Sequence, residues 1–149
     1  MPEALREFVA GAGRTPRSDE QWAIARAQRT SELHALAQHS RVIADPAPLM
    51  TAVYSEVYFH DDSLVDQTIA WIQDARLIVW CRPDFPWVAE PVQRDGPHAR
   101  SAVDLRVGAH VLRLRAGGVR VLEAHGTRGD RLAAVRRALS ALDGPRNLD

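Results

Sequence analysis

The sequence predicts an α/β domain built around a mainly parallel sheet. Three short apolar runs, at 42–44, 77–81 and 119–123, have the length and composition of strands. Between them lie stretches whose apolar residues recur at helical spacing. This alternation of helices and strands is typical of an α/β fold with a parallel sheet.

The first predicted helix opens near Ser18. Gln21 follows three residues later, which is the spacing of a capping box, and the helical pattern continues to about His39. We expect one face of this helix to be buried, and that face carries Trp22, Ala25, Leu33 and Leu36.

The apolar run at 42–44 is predicted to be a buried strand that ends before Pro46 and Pro48. Two helices are expected after it, one over 49–57 and one over about 63–74, because apolar residues recur there at helical spacing.

The second half of the chain begins with the strongest predicted strand, Leu77 to Cys81. Its continuous apolar character predicts burial on both faces, and Cys81 is expected to be part of the core. The segment 82–97 holds four prolines and is expected to be irregular. A helix closed by Gly117 and Gly118, a strand at 119–123 and a last helix that ends at Gly144 complete the prediction.

The composition is that of one globular domain, residues 1–149. The chain is 46% hydrophobic and 26% charged, and its formal net charge is zero. A chain without net charge is not expected to bind nucleic acid or an acidic membrane through bulk electrostatics. A single cysteine excludes an intrachain disulfide and a multi-cysteine metal site, and it fits a reducing cytoplasm. We therefore expect a cytoplasmic protein.

All 19 basic residues are arginine, and the chain contains no lysine. Schiff-base chemistry and lysine general bases are therefore excluded. A Walker A loop, G-x-x-x-x-G-K-[ST], is excluded from these residues as well, because its lysine reaches the phosphates of the nucleotide.

Asp45 is the first candidate for a site residue. It stands at the carboxyl end of a predicted strand, where open α/β sheets bind ligands and where a Walker B aspartate holds magnesium. The alternative is that Asp45 caps the turn at Pro46, and its spacing alone does not separate the two interpretations.

Arg94 and Arg100 are the second candidates, in a loop flanked by proline and glycine. Arginine forks bind phosphate oxygens at two points, and mobile loops often close over a site. Two solvated surface arginines are the alternative. Glu3 and Arg6, taken alone, are the charged start of a helix.

Three blocks of sequence resemble the P-loop kinase domain of NadR proteins and related bacterial ATPases. They are PEALREF at 2–8, IADPAPLMTAVYSE at 43–56, and a third block over 83–100 that contains PDFPWV and QRDGPHAR. The blocks stand in the order found in that family, and the likeness extends from 2 to about 142. The second and third blocks are specific.

The resemblance implies a three-layer P-loop NTPase-like fold of the AAA type that binds ATP and Mg²⁺. The best-known activity in that family is a transferase reaction of NAD biosynthesis, the phosphorylation of ribosylnicotinamide. By this resemblance Asp45 lies near magnesium or near the hydroxyl group of the substrate. Arg94 and Arg100, in a lid at 88–100, contact the transferred phosphate.

The resemblance also implies a substrate-binding role for Glu3 and Arg6, and a position near the nucleoside pocket for Trp87. In that family a strand, the phosphate-binding loop and a helix precede the block that holds Glu3. The resemblance therefore predicts an N-terminally truncated and inactive domain. The strand expected between the runs at 42–44 and 77–81 is missing, which leaves unpaired strand edges.

Three interpretations follow from this departure. The first is an active kinase whose start lies upstream. The second is a non-catalytic remnant that serves as a binding or assembly module, for example as a homodimer. The third is a shared fold with a different nucleoside or phosphate compound as substrate.

Overall fold

The structure is a computed structural model that describes residues 3–86 and 96–143. The chain divides into two units, Met1–Gln73 and Asp74–Asp149, which we call the N-terminal and the C-terminal unit. Trp87, Arg94 and the predicted lid before Gly96 lie outside the described residues. No helix over 3–86 or 96–143 is long and apolar enough to cross a membrane.

The described part of the N-terminal unit is built from helices. They are α1 (Ala4–Ala12), α2 (Gln21–Gln38), α3 (Leu49–Phe59) and α4 (Val65–Ile72). Helix α2 packs against α1 and α3, and α3 packs against α4. The helices predicted from Ser18, from Leu49 and from about Ser63 are confirmed.

Helix α2 is preceded by a 3-10 turn at Ser18–Glu20, and the cap differs from the predicted one. The Glu20 carboxylate accepts the backbone N–H of Arg17 at 2.8 Å and two bonds from the Arg14 guanidinium at 2.7 and 2.8 Å. The capping pair is thus Arg17 and Glu20 rather than Ser18 and Gln21. The bonds from Arg14, then from Arg17, lower the pKa of Glu20 to about 2.

The buried face of α2 is not the predicted one. Trp22, Leu33 and Leu36 are 40%, 52% and 51% exposed, and of the predicted face Ala25 alone is buried. The buried residues are mostly polar, and they are Gln21, Ile24, Ala25, Gln28 and Glu32. Counting apolar residues gave the wrong face because it does not register Gln28, whose side chain is buried with hydrogen bonds to the backbone of Ala4 and Pro46.

Residues 42–44 do not form the predicted buried strand. Ile43 is 80% exposed, and no backbone hydrogen bond joins 42–44 to the described part of the chain. A strand exists only as part of a ladder with a partner, so an apolar run without one stays irregular.

The C-terminal unit contains two parallel strands, β1 (Ile78–Cys81) and β2 (Val121–Ala124). Ile78 pairs with Val121, and Cys81 pairs with Ala124. Helix α5 (Gly96–Ala116) leads to β2, and helix α6 (Arg128–Asp143) follows it. The predicted strands, their parallel arrangement and both helices are confirmed as a small mixed α/β unit.

Strand β1 is not buried on both faces, contrary to the prediction. Val79 is 37% exposed and Cys81 is exposed, so Cys81 does not belong to the core. Helix α5 covers the other face, where a Cβ atom added to Gly108 would lie 3.2 Å from Cη2 of Trp80. Within the described residues the sheet has two strands. The continuous apolar run at 77–81 predicted burial on both faces of β1, but only one face is covered.

We predict that Leu114→Ala destabilises the protein much more than Leu112→Ala. Leu114 is 1% exposed and Leu112 is 66% exposed in the same helix. Deleting a buried leucine side chain costs about 2–5 kcal/mol, whereas a surface change costs about 0.5 kcal/mol or less. Chemical denaturation followed by circular dichroism measures both, and equal losses would contradict the described packing of α5.

The hydrogen bonds of Glu20 at the start of α2 predict that the protein loses stability at low pH. The pKa of Glu20 is lowered in the folded protein from 4.5 to about 2, so its stabilising contribution is complete above pH 4.5 and lost as the pH falls towards 2. We expect Glu20→Gln to remove this part of the pH dependence of the melting temperature. Asp19→Asn, at a neighbouring exposed carboxylate, is the control that retains it.

Candidate functional site

A buried glutamine connects two of the sequence blocks that carry the resemblance. Gln28 is 2% exposed on α2. Its Oε1 accepts the backbone N–H of Ala4 at 2.9 Å, and its Nε2 donates to the carbonyl of Pro46 at 3.1 Å. One side chain therefore fixes the start of α1 and the turn that contains Asp45 relative to each other within the N-terminal unit.

Glu3 and Arg6 lie at the start of α1, where the structure brings them together. Arg6 Nε is 2.9 Å from Glu3 Oε2, and the Arg6 side chain is 67% exposed. Glu3 occupies the N-cap position of α1. The two residues thus form a charged helix start, and an ion pair this exposed contributes about 0–1 kcal/mol.

Asp45 lies next to Pro46, whose carbonyl Gln28 holds. It is exposed in an irregular segment, and its carboxylate makes no hydrogen bond or ion pair with any residue of 3–86 or 96–143. The described residues contain no group of three or more histidine, cysteine or acidic side chains that could hold a metal.

Glu32, one helical turn after Gln28, is a buried carboxylate that the sequence did not single out. It is 5% exposed, and its Oε2 lies 3.1 Å from Nη1 of Arg29. Burial raises the pKa of Glu32, and the bond from Arg29 opposes this shift. The polar buried face of α2 thus contains both a fixed amide and a carboxylate that is held towards its neutral form.

In the C-terminal unit, Arg82 directly follows β1. Its guanidinium donates to Glu123 at 2.5 Å and to Asp104 at 3.1 Å, and it lies 4.2 Å from the ring centroid of Trp80. Asp104 also accepts the indole N–H of Trp80 at 3.1 Å. Two carboxylates neutralise this arginine, and these contacts connect the end of β1 to β2 and to α5.

Asp84 joins the segment after β1 to the turn after β2. It accepts the backbone N–H of Gly126 at 2.6 Å and pairs with Arg131. Gly126 has φ 82°, and an added Cβ atom would lie 3.0 Å from Oδ2 of Asp130, so this turn requires glycine. The carboxyl ends of both parallel strands are thus held together, which is where open α/β sheets bind ligands.

Of the two predicted lid arginines, Arg100 is the one that the structure describes. It lies in α5 rather than in the predicted loop, because the helix begins at Gly96, and its Nη1 donates to the carbonyl of Phe85 at 2.7 Å. Arg100 belongs to the C-terminal unit, whereas Asp45, Glu3 and Arg6 belong to the N-terminal unit.

Comparison with known proteins identifies the family to which the chain belongs. The family model described as an AAA domain matches residues 1–131. The chain belongs to the AAA domain family. No curated protein and no solved structure matches it.

Membership in this family supports a P-loop nucleotide-binding domain. AAA-type P-loop domains generally bind ATP and Mg²⁺. The two parallel strands of this AAA domain, connected through α5, are consistent with that fold class.

Sequence reasoning did not single out several residues that form key contacts in the AAA domain. Arg82 and Asp84 follow the strongest predicted strand, so the rule that ligands bind at the carboxyl ends of strands could have indicated them. Gln28 and Glu32 gave no signal, because polar residues in the middle of a helix normally face solvent.

We predict that Gln28→Leu destabilises the AAA domain, because it leaves the N–H of Ala4 and the carbonyl of Pro46 without their partner. Each such group costs about 1–3 kcal/mol if it stays buried. Gln67→Leu, at an exposed position of α4, is the matched control. Thermal unfolding of the two variants tests this, and similar melting temperatures would argue against the amide bridge.

Proposed function

We propose that this AAA domain belongs to an ATP- and Mg²⁺-dependent phosphoryl-transfer module of the ribosylnicotinamide kinase type. We treat 1–149 as one functional domain with a lid at 88–100, acting in the cytoplasm on a nucleoside. The observation that carries the proposal is the Asp45 carboxylate. It is exposed, it has no partner among the described residues, and Gln28 holds its turn beside the start of α1.

Asp45 is proposed to act on the phosphate acceptor. A carboxylate at this position accepts the hydrogen bond of a substrate hydroxyl group and orients it for attack on the phosphate. The same oxygen atoms suit Mg²⁺, a hard cation that prefers carboxylate, phosphate and water oxygens. When bound, magnesium neutralises charge on the phosphate groups.

Glu3 and Arg6 are proposed to bind the nucleoside. Their ion pair leaves Arg6 largely exposed, so both side chains can exchange their mutual contact for hydroxyl groups of a ligand. The amide of Gln28 fixes the position of the start of α1 relative to the turn that contains Asp45. Phosphoryl transfer depends mainly on such positioning.

Arg94 and Arg100 are proposed to contact the transferred phosphate, and Trp87 to line the nucleoside pocket. Because the 149 residues contain no lysine, arginine is the permanently charged basic side chain available here for phosphate. A guanidinium fork matches phosphate oxygens at two points and spreads its charge over them.

A second function is a non-catalytic binding or assembly module. The absence of lysine, and hence of a Walker A motif, from the 149 residues favours it. A module of this kind binds the nucleoside without transferring phosphate, or it binds a second copy of the chain.

We expect Asp45→Asn to weaken the binding of ribosylnicotinamide about tenfold, a loss of about 1.4 kcal/mol. Asp62→Asn, at another exposed carboxylate of the N-terminal unit, is expected to leave the affinity unchanged. Isothermal titration calorimetry of the 149-residue chain measures both variants.

The same protein, incubated with ATP, Mg²⁺ and ribosylnicotinamide, separates the two functions. Formation of the mononucleotide supports the kinase, whereas nucleoside binding without turnover and without ATP binding supports the binding module. If ribosylnicotinamide does not bind at all, a different acceptor or a different function is required.

A further inference from the structure

Arg131, on α6, holds together the two segments that follow the parallel strands. Its Nε donates to the carbonyl of Gly126 at 3.0 Å. Its Nη2 donates to the carbonyl of Arg82 at 2.9 Å and also pairs with Asp84. The Arg131 side chain is 14% exposed. A planar guanidinium serves several acceptors in fixed directions, which a lysine ammonium group does not.

Phe85 receives contacts from two arginines. The guanidinium of Arg131 lies 4.4 Å from the centroid of the Phe85 ring. The carbonyl of the same residue accepts Nη1 of Arg100 at 2.7 Å. The hydrogen bond between Phe85 and Arg100 therefore joins the two ends of the segment 86–99.

We infer that Arg131 is a positioning residue for Arg100. Arg131 fixes the Phe85 residue through its ring and through the neighbouring carboxylate of Asp84, and the Phe85 carbonyl then sets the direction of the Arg100 guanidinium. We call the five residues that make these contacts the arginine clasp, and they are Arg82, Asp84, Phe85, Gly126 and Arg131.

The clasp gives Arg100 a resting partner that a nucleotide can replace. The carbonyl of Phe85 is neutral and accepts one bond from Arg100, whereas phosphate oxygens are charged and can accept two parallel bonds from one guanidinium. Arg100 accordingly exchanges the carbonyl for phosphate when a nucleotide binds. This last step rests on the proposed function, whereas the clasp itself rests on the contacts of the C-terminal unit.

The charges around the clasp support a positioning role for Arg131 rather than a direct one. Asp84 neutralises Arg131, and the three backbone and side-chain acceptors engage both its Nε and its Nη2. Arg128 also lies on α6, but it is exposed and makes none of these contacts. It therefore serves as a control with the same charge on the same helix.

Amide hydrogen exchange tests the clasp on the whole 149-residue chain. In Arg131→Met we expect exchange at least tenfold faster at the N–H of Gly126, which donates to Asp84, with no change over 108–114 of α5. Arg128→Met is expected to match the wild type. Unchanged exchange at Gly126 overturns the inference, and so does an equal acceleration over 108–114. If Arg131→Met does not fold, Arg131→Lys retains the charge, loses the fork and is expected to show the same local acceleration.

Calorimetry with ATP and Mg²⁺ tests the connection to Arg100. We expect Arg131→Met and Arg100→Met each to weaken binding about tenfold, and the double variant to lose no more than either alone, because both changes act through one contact. Wild-type affinity in Arg131→Met, or losses that multiply in the double variant, overturns the positioning role. If the wild type does not bind ATP, the proposed function fails, and the exchange measurement alone decides whether the clasp exists.

Discussion

The arrangement of the N-terminal unit depends on the buried amide of Gln28. A carboxamide has one acceptor and one donor group, and here each is used by the backbone of a different segment. Both segments carry blocks that resemble the kinase family, so their mutual placement depends on one side chain. Burying an amide is unfavourable unless its hydrogen bonds are satisfied, and this requirement fixes which face of α2 turns inward.

Arginine makes the cationic contacts in this protein, because the chain contains no lysine. Arg14 makes two bonds to Glu20 at the start of α2, and Arg82 bridges two carboxylates beside Trp80. Arg131 serves acceptors on both strand ends. A guanidinium distributes its donors over a plane, so one residue can join several parts of the backbone. A chain whose lysine and arginine positions are all arginine can therefore use them as structural connections.

Apart from the strand expected at 42–44, the elements were predicted well, whereas their environment was predicted poorly. The helices that begin near Ser18, Leu49 and Val65 and the strands at 78–81 and 121–124 follow from periodicity and from stop signals such as Gly117. The predicted face of α2 was wrong because periodicity measures apolar character and cannot detect the partners that bury Gln28 and Glu32. At the site, Asp45 and Arg100 were named from their positions in motifs, and neither the contact of Arg100 with Phe85 nor the connections made by Arg131 could be derived from spacing.

The sequence by itself determined the family, the positions of β1 and β2 along the chain and the absence of a lysine-based phosphate loop from these 149 residues. These properties depend on residue identity and on local order along the chain. The tertiary structure alone decided that 42–44 is not a strand, that Cys81 is exposed, and that Arg100 meets Phe85. Pairing, burial and side-chain hydrogen bonds need partners that are distant in sequence, and those partners are determined only when the chain is folded.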